Sequence, residues 1–330
     1  MTALWDTTGT EVIKALSVER RAAGSVSSGL ALTLVAVVDE KLVAEAEQAA
    51  TAAAAQHPCR LLIVVRRRPD APEPRLDAEV SVGGRLGPGE AVVMRMYGRL
   101  SLHAESVVLP LLAPDAPVVT WWFGEPPHLI AHDPLGVIAD RRITDAAAAA
   151  DPIAALRTRA DDYAPGDTDL AWTRTTLWRS LCASAYDSLA GEPRSATVRG
   201  ETGNPSRSLL AGWLQHRLGI DVAVEDSDGP GVTGVELQVA DDTVQIARTD
   251  GRTATLSRTD QPDRGMPLPR RELGDLLAEE LRRLDADETY AEALETVTGL
   301  SGLSDRPAKR AHVWQDPMEV SDPDPALTTS

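Results

Sequence analysis

The stretch that decides the fold is LALTLVAVVDEKLVAEAEQAATAAAAQHPCRLLIVVRR, residues 30–67. Its first part, up to Asp39, is apolar and rich in β-branched residues, as is typical of a buried strand. The middle part consists of good helix formers, with Asp39 placed to cap a helix and Pro58 placed to end it. CRLLIVVRR at 59–67 is a second buried strand. Because a crossover of this length joins parallel strands, the stretch predicts a βαβ unit.

Segments on both sides of this unit extend the predicted sheet. A helix is predicted over 9–22, and two strands near 76–82 and 90–97 are joined by the glycine-rich turn GGRLGPG. VVTWWF at 118–123 is a further strand, and the proline pair that follows ends it because proline has no N–H to donate to a sheet. These elements predict an N-terminal α/β domain with a mixed sheet.

The second half of the chain predicts helices packed on a largely antiparallel sheet. DLAWTRTTLWRSLCASAYDSLA at 169–190 is the clearest amphipathic helix, because its apolar residues recur at three-, four- and seven-residue spacing. Four strand patterns follow further on, the later ones joined by the tight turns ADD and DGR. Connections this short make an antiparallel meander. Helices near 270–284 and 287–299 complete this half.

These patterns divide the chain into four predicted regions. They are an N-terminal helical extension at 1–28, an N-terminal α/β domain at 29–165, a C-terminal α/β domain at 166–305, and an acidic, disordered tail at 306–330. The boundary between the two domains falls in DDYAPGDTD, a polar stretch that contains a Pro-Gly turn.

The charge of the chain limits its partners. It has 330 residues and a formal net charge of −17. Such a chain is repelled by phosphate backbones and anionic lipid headgroups, so nucleic-acid and membrane-surface binding are disfavoured. The longest apolar run, SGLALTLVAVV at 28–38, is shorter than the roughly 20 residues of a membrane span, and Asp6 and Glu11 argue against a signal peptide. The sequence therefore predicts a soluble, cytoplasmic protein.

The sequence contains no familiar catalytic motif. The patterns GxxxxGK[ST], GxSxG and HExxH are absent, and no ligand-spaced pair of histidines flanked by carboxylates lies on a clear helix, so no cofactor or metal is predicted. His128 and His132 are the best catalytic candidates, because Asp133 follows them; the two readings are a His–Asp dyad and a pair of exposed loop histidines. Cys59 and Cys182 are interpreted as reduced, packed thiols rather than as a redox switch.

PDAPVVTWWFGEPP at 114–127 concentrates aromatic residues in a chain that is only 4% aromatic. Successive side chains of a strand face opposite sides, so Trp121 and Trp122 lie on different faces. If helices cover both faces, both indoles belong to the core. If one face is open, a tryptophan there becomes a stacking platform for a sugar or an anchor for a partner protein. A buried pair and an exposed ring near Glu125, where the chain turns outward, both stay open as alternatives.

The helix predicted at 170–190 also contains tryptophans that could belong either to the core or to a contact with a partner. Trp178 lies on its apolar stripe and is expected in the core. Trp172, Arg174 and Arg179 fall toward the flank of that stripe. There they either lie over the core or meet a partner.

Three segments together resemble a known family. HPCRLLIVV at 57–65, ESVVLPLLAPDAPVVTWWFGEPP at 105–127 and DLAWTRTTLWRSLCASAYD at 169–187 are similar, in this order and spacing, to the OpcA family of glucose-6-phosphate dehydrogenase assembly proteins. The similarity covers both halves of the chain and leaves only the two ends outside.

The resemblance implies a non-enzymatic partner of glucose-6-phosphate dehydrogenase in the oxidative pentose phosphate pathway, one that promotes its oligomeric assembly and activates it allosterically. It carries over no catalytic residues. We expect the contact with the dehydrogenase at Trp121, Trp122, Glu125, His128, Trp172, Arg174 and Arg179. The alternative is a sugar-phosphate sensor or enzyme that uses Trp121 and Trp122 as a platform, with Arg141 and Arg142 as an anion clamp.

Overall fold

The computed structural model of the chain describes residues 1–24, 30–83 and 89–308. Two sheets with helices against them confirm the predicted α/β class in this part of the chain. The tail predicted at 306–330 lies outside the described residues from 309 onward, and so does most of the turn GGRLGPG.

The first sheet contains eight strands within the described ranges. They are β1 (Thr2–Leu4), β2 (Leu32–Val38), β3 (Cys59–Arg67), β4 (Arg75–Val82), β5 (Glu90–Tyr97), β6 (Val118–Phe123), β7 (Arg141–Thr144) and β8 (Asp167–Asp169). Their order is β1-β4-β5-β3-β2-β6-β7-β8. The six strands from β5 to β8 in this order are parallel, whereas β4 and β1 are antiparallel additions at one edge. This confirms the predicted βαβ unit and the mixed sheet.

The parallel part has the strand order of a doubly wound sheet. The order reverses between β2 and β6, and such reversal points form a crevice at the carboxyl ends of the strands. Helices in this half are α1 (Gly9–Ala22), α2 (Val43–Ala54), α3 (Arg99–Leu102), α4 (Glu105–Val108), α5 (Pro134–Val137) and α6 (Pro152–Asp162). Because helices cover both faces, β2 and β3 are buried along most of their length, which explains their unbroken apolar sequence.

The N-terminal extension is part of the first sheet rather than a helix lying apart from it. The helix predicted over 9–22 is confirmed as α1, whose Val12, Ala15 and Leu16 are buried against the sheet. Strand β1 was not predicted, because three residues are too few to show an alternating pattern. It pairs with β4 and places Thr2 opposite Val80.

The second sheet contains six strands in the described part of the chain. They are β9 (Pro193–Gly200), β10 (Val222–Asp226), β11 (Val232–Val239), β12 (Asp242–Arg248), β13 (Thr253–Arg258) and β14 (Gln261–Pro267). Their order is β10-β9-β11-β12-β13-β14, and only the β9–β10 pair is parallel. The predicted antiparallel meander is confirmed for β11, β12 and β13, and β14, which was not predicted, extends it. The first of the four predicted strands, β10, instead pairs in parallel with β9. The helices of this half are α7 (Leu170–Thr173), α8 (Thr176–Asp187), α9 (Pro205–Leu218), α10 (Leu273–Arg282) and α11 (Glu288–Thr298).

The single helix predicted over 169–190 is wrong in one respect, because the chain divides it into α7 and α8. The division lies at Thr175, whose N–H and hydroxyl both donate to the carbonyl oxygen of Trp172. A side chain that bonds the backbone in this way competes with the regular helical bond. The apolar stripe of α8 therefore does not continue into α7.

Two features tie the halves of the chain together. Strand β8 lies beyond residue 165, yet it pairs with β7 in the first sheet. Helix α10 packs on α2, with Leu276, Leu277 and Leu281 in the same core cluster as the alanines of that helix. Gly274 makes this approach possible, because a Cβ there would lie 2.7 Å from the Cβ of Ala52.

Candidate functional site

Both tryptophans of β6 are core residues. Trp121 is 0% exposed and Trp122 is 2% exposed. Trp121 belongs to the cluster beneath α2 and α10, whereas Trp122 lies against Gly136 on the other face, where a Cβ would come within 3.4 Å of the indole. The exposed-ring alternative is wrong for both residues because each face of the strand is covered. Neither ring is available as a platform for a sugar.

Trp172 is internal as well, being 1% exposed. Its indole N–H donates to the Asp287 carboxylate at 2.9 Å, and the guanidinium of Arg179 lies 3.7 Å from its ring centroid. Burial lowers the pKa of Arg179 to about 10, against the opposing effect of Asp287 and other carboxylates. Of the two readings of Trp172, contact with a partner is therefore wrong, because the ring is buried with Arg179 over it.

Arg174 forms a bidentate ion pair with Asp145. Its two terminal nitrogens donate to the two carboxylate oxygens at 2.6 and 2.7 Å. Burial alone would lower the pKa of Arg174, but the hydrogen bonds to Asp145 outweigh it and raise that pKa. The pair stands between two clefts, because Asp145 lines one of them and Arg174 lines the other.

The first of these, which we call the acidic cleft, has a volume of about 290 Å³. It lies at the carboxyl ends of three parallel strands, since Glu125 follows β6, Asp145 follows β7 and Asp169 ends β8. Burial, and after it the charge of Asp145, raise the pKa of Asp169. The carboxylate accepts hydrogen bonds from the Thr144 hydroxyl and from backbone N–H groups, which hold it in place.

The rim of the acidic cleft carries the predicted contact residues that are exposed. Glu125 and His128 both lie on the loop after β6, next to Leu129, which is 48% exposed. A single guanidinium group fixes this loop from below: Arg159 donates to the carbonyl oxygens of Pro127 and His128 at 2.9 and 2.7 Å. This anchor was not predicted, because Arg159 comes from α6, a helix that was missed in the sequence.

The second cleft, which we call the arginine cleft, has a volume of about 320 Å³. Four arginines line it, together with Trp178 and the N-terminal end of α9: Arg174, Arg248, Arg270 and Arg271. It was missed in the sequence because its residues come from α8, β12 and the segment before α10. Only the three-dimensional fold brings these segments together.

The reversal point of the doubly wound sheet does not fit a dinucleotide. At this position such folds use a glycine-rich turn and a helix N-terminus to hold a pyrophosphate. Here a turn without glycine, Asp39–Leu42, follows β2, and Leu42 approaches the backbone after β6, where a Cβ at Gly124 would lie 3.4 Å from it. The Glu40 carboxylate accepts a hydrogen bond from Arg95 at 2.9 Å, so the charges nearest to this turn are paired with each other.

The proposed His132–Asp133 dyad is wrong. Asp133 accepts two hydrogen bonds from Arg66, at 2.8 and 2.9 Å, and caps α5 through the N–H of Leu135. His132 instead has its Nδ1 atom 2.8 Å from the Asp162 carboxylate. Asp133 is therefore a structural residue that holds the loop to β3.

Arg141 and Arg142 do not form an anion clamp. Both are buried, and each already has a carboxylate partner: Glu280 for Arg141 and Asp167 for Arg142. A guanidinium that is paired inside the protein has no free donors to offer a ligand. These two residues stabilise the contact between strands and helices.

Both cysteines are packed thiols, as the sequence predicted. Cys59 and Cys182 are free and buried, and burial raises the pKa of each thiol to about 12. Over 1–24, 30–83 and 89–308, no group of three or more histidine, cysteine or acidic side chains is arranged to hold a metal ion. None of the helices in the same ranges has the length and hydropathy of a membrane span.

Comparison with solved structures gives distant similarities. The chain is 11% identical to KijD10, a 3-ketoreductase from Actinomadura kijaniata, with a TM-score of 0.42 over 81% of this chain and 95% of that one. It is 10% identical to the putative oxidoreductase yvaA from Bacillus subtilis, with a TM-score of 0.43 over 80% and 94%. An oxidoreductase from Sinorhizobium meliloti is 9% identical, with a TM-score of 0.43 over 86% and 99%. Likeness this weak bears on neither activity nor ligand.

Comparison with known protein families identifies the family of this chain. No curated protein sequence matches the chain. Residues 50–161 match the glucose-6-phosphate dehydrogenase subunit N-terminal domain, and residues 165–294 match the C-terminal domain of the same subunit. The two matches follow one another in the order of the family and meet near the predicted domain boundary. The chain therefore belongs to the OpcA family of glucose-6-phosphate dehydrogenase assembly proteins.

Proposed function

We propose that this protein is a non-enzymatic cytoplasmic subunit that binds glucose-6-phosphate dehydrogenase, promotes its assembly and activates it allosterically. The observation that carries the proposal is the match of two consecutive domains, 50–161 and 165–294, to a family described as a subunit of that enzyme. The contact that we propose is between proteins, and the proposed role is that of a regulator in the oxidative pentose phosphate pathway.

The carboxyl edge of the first sheet supports the non-enzymatic part of the proposal. In doubly wound enzymes this edge holds the nucleotide. In this chain Leu42 and the Glu40–Arg95 ion pair occupy the corresponding region. The residues present serve packing and charge pairing there.

The contact surface that we propose is the loop Gly124–Leu129. It combines an exposed carboxylate, an exposed imidazole and a half-exposed leucine, at Glu125, His128 and Leu129. The hydrogen bonds from Arg159 hold the loop in one conformation before a partner arrives. A surface ordered in advance loses less entropy on binding, which favours affinity. Of the seven contact residues predicted from the sequence, this choice keeps the two that are exposed.

Activation by such a contact needs a difference in affinity. The subunit must bind the active conformation or oligomer of the dehydrogenase more tightly than the inactive one. A coupling free energy of about 1–3 kcal/mol is enough for a roughly five- to 150-fold effect. One well-packed loop supplies contacts on this scale.

The first test is an assay of glucose-6-phosphate dehydrogenase from the same organism at subsaturating substrate, with and without this protein. We expect a higher rate or a lower apparent KM, together with elution of the two proteins as one complex on a sizing column. An unchanged rate combined with separate elution would contradict the proposed function.

Two charge-reversal variants, one in the loop and one outside it, then locate the contact surface. We expect Glu125→Lys to weaken binding of the dehydrogenase at least tenfold, because it reverses a charge at the centre of the proposed contact. Glu192→Lys is the matched control, since Glu192 is an exposed glutamate before β9 and outside this loop. If both variants bind as well as the wild type, the loop is not the contact surface, although the function itself would still stand.

A further inference from the structure

The arginine cleft contains a buried cation without an anionic partner. Arg248 is 8% exposed and lines the cleft. Its terminal nitrogens donate to the carbonyl oxygens of Val232 and Leu268, at 2.8 and 3.3 Å, and its Nε atom is buried without a hydrogen-bond partner. No carboxylate among the described residues forms an ion pair with it. A buried charge in this state is costly unless something neutralises it.

Arg270 brings a second positive charge to the same place. It donates to the Pro230 carbonyl at 2.9 Å and lies directly over Gly251, where a Cβ would come within 2.2 Å of its guanidinium. The absence of a side chain at Gly251 therefore lets Arg270 lie across the cleft wall. Burial, and after it the charge of Arg270, lower the pKa of Arg248 to about 10. Two positive charges that repel each other are stabilised when an anion lies between them.

The charge of Asp250 acts on Arg248 and opposes the lowering of its pKa, but Asp250 does not line the cleft and forms no ion pair with Arg248 within the described ranges. Arg174 is neutralised by Asp145, and Arg271 is neutralised by Glu279. Glu201 is the one carboxylate that lines the cleft in the described part of the chain, and it is exposed. The cleft thus keeps net positive charge, although the chain as a whole has a net charge of −17.

The other residues that line the arginine cleft favour a ligand with hydroxyl groups. Asn204 lies at the start of α9, where its side-chain oxygen caps the N–H of Arg207 and leaves its amide nitrogen as a donor. Glu201 offers carboxylate oxygens, which accept hydrogen bonds from hydroxyl groups. Trp178, which stacks beneath Arg248 at 5.1 Å, provides an apolar wall. The volume of about 320 Å³ suits a small ligand.

We propose that the arginine cleft binds a small phosphorylated polyhydroxy metabolite, with its phosphate on Arg248 and Arg270 and its hydroxyl groups toward Glu201 and Asn204. Arginine suits this role because its fork of N–H donors matches the oxygens of a phosphate. The positive end of α9, a helix of 14 residues, adds to the attraction. The ligand site lies across the Arg174–Asp145 pair from the acidic cleft, and it does not depend on the proposed contact with the dehydrogenase.

The test is calorimetry on the full chain with three probes: glucose 6-phosphate, glucose and inorganic phosphate. We expect glucose 6-phosphate to bind at least tenfold more tightly than inorganic phosphate, and glucose to give no heat. The absence of heat with glucose 6-phosphate at millimolar concentration would overturn the proposal. Equal affinities for glucose 6-phosphate and inorganic phosphate would also overturn it, because the hydroxyl groups would then contribute nothing.

Variants assign the binding to this cleft. We expect Arg270→Gln to weaken glucose 6-phosphate binding at least tenfold; since Arg270 is exposed, this change does not disturb the core. Arg248→Gln should weaken binding further, with thermal unfolding to check its fold. Arg157→Gln, at an exposed arginine of α6 away from the cleft, is the matched control and should bind as the wild type does. Unchanged binding in Arg270→Gln would overturn the proposal.

These measurements contain no dehydrogenase, so they are independent of the activation assay. A failure of calorimetry leaves the proposed subunit function untouched. Activation without ligand binding, or binding without activation, separates the two proposals.

Discussion

The two clefts beside the Arg174–Asp145 pair are similar in size and opposite in charge. The acidic cleft holds Asp169 and Glu125 at the carboxyl ends of parallel strands, whereas the arginine cleft holds Arg248 and Arg270 beside the antiparallel sheet. One ion pair separates them, with its carboxylate on the acidic side and its guanidinium on the other. Carboxylates outnumber guanidinium groups in the lining of the acidic cleft, which also contains Arg159, and the reverse holds in the arginine cleft, which also contains Glu201.

The backbone explains how each cleft tolerates its charge. Asp169 is surrounded by N–H donors, those of Ala146 and Ala171, at the start of new helical turns. Arg248 is surrounded by carbonyl acceptors, those of Val232 and Leu268, at the C-terminal end of β12. In both places backbone dipoles replace a counter-ion. Backbone groups solvate a charge without cancelling it, so each cleft keeps its sign.

The largest predicted effect comes from removing the central charge of the acidic cleft. Asp169→Ala leaves the Thr144 hydroxyl and buried backbone donors without an acceptor, which should lower the free energy of unfolding by about 3 kcal/mol. Urea unfolding measures the change. Asp169→Asn, which keeps one acceptor oxygen, should cost clearly less. Equal costs for the two variants would show that the hydrogen bonds do not hold this end of β8 in place.

The Arg174–Asp145 ion pair, which separates the two clefts, should contribute less to the free energy of unfolding than Asp169 does. The Arg174 side chain is 34% exposed and that of Asp145 is 12% exposed, so the pair lies between a surface ion pair and a buried one. A double-mutant cycle with Arg174→Gln and Asp145→Asn should give a coupling energy of about 1–2 kcal/mol. Thermal or urea unfolding of the four proteins provides the numbers. A coupling near zero would mean that the two clefts are separated by packing alone.

The smallest predicted effect concerns how the free energy of unfolding depends on pH. Burial and the charge of Asp145 raise the pKa of Asp169, so the folded chain keeps a proton at pH values where the unfolded chain has lost it. The stability due to this group is therefore fully present below the ordinary pKa of 3.8 and is lost as pH rises through the raised value. Asp169→Asn removes that dependence.

The measurement is the free energy of unfolding of the wild type minus that of Asp169→Asn, from about pH 4 to about pH 7. We expect this difference to fall as pH rises, by no more than about 1.4 kcal/mol per pH unit, which is the limit for one proton. A difference that grows with pH would mean that the hydrogen bonds to Asp169 outweigh its burial.

Local patterns predicted most of the regular elements. The apolar runs of β2 and β3 with the alanine-rich helix between them, and the short turns of β11–β13, carry their structure in neighbouring residues. Helix α6 was missed although Asp151-Pro152 marks its start, with the Asp151 carboxylate accepting from the N–H of Ala154. Strand β1 was too short to be recognised.

The candidate sites could not be predicted in the same way. Arg248 and Trp178 are far apart in sequence, and nothing local to either one indicates that they stack. Trp121, Trp122 and Trp172 drew attention as possible contact residues because tryptophan is common both in cores and in interfaces. Composition does not distinguish a tryptophan of the core from one of an interface. The distinction depends on whether helices cover the face on which the ring lies.

The position of α10 has a consequence for how the protein is made. The ribosome completes β2–β8 long before it reaches residues 273–282. Until those residues emerge, the alanine face of α2 is open to water and the buried guanidinium of Arg141 has no Glu280 to meet it. Domains usually fold one after another as they leave the ribosome. In this chain the core of the first sheet is completed only when α10 emerges, so we expect this half to reach its native state near the end of synthesis.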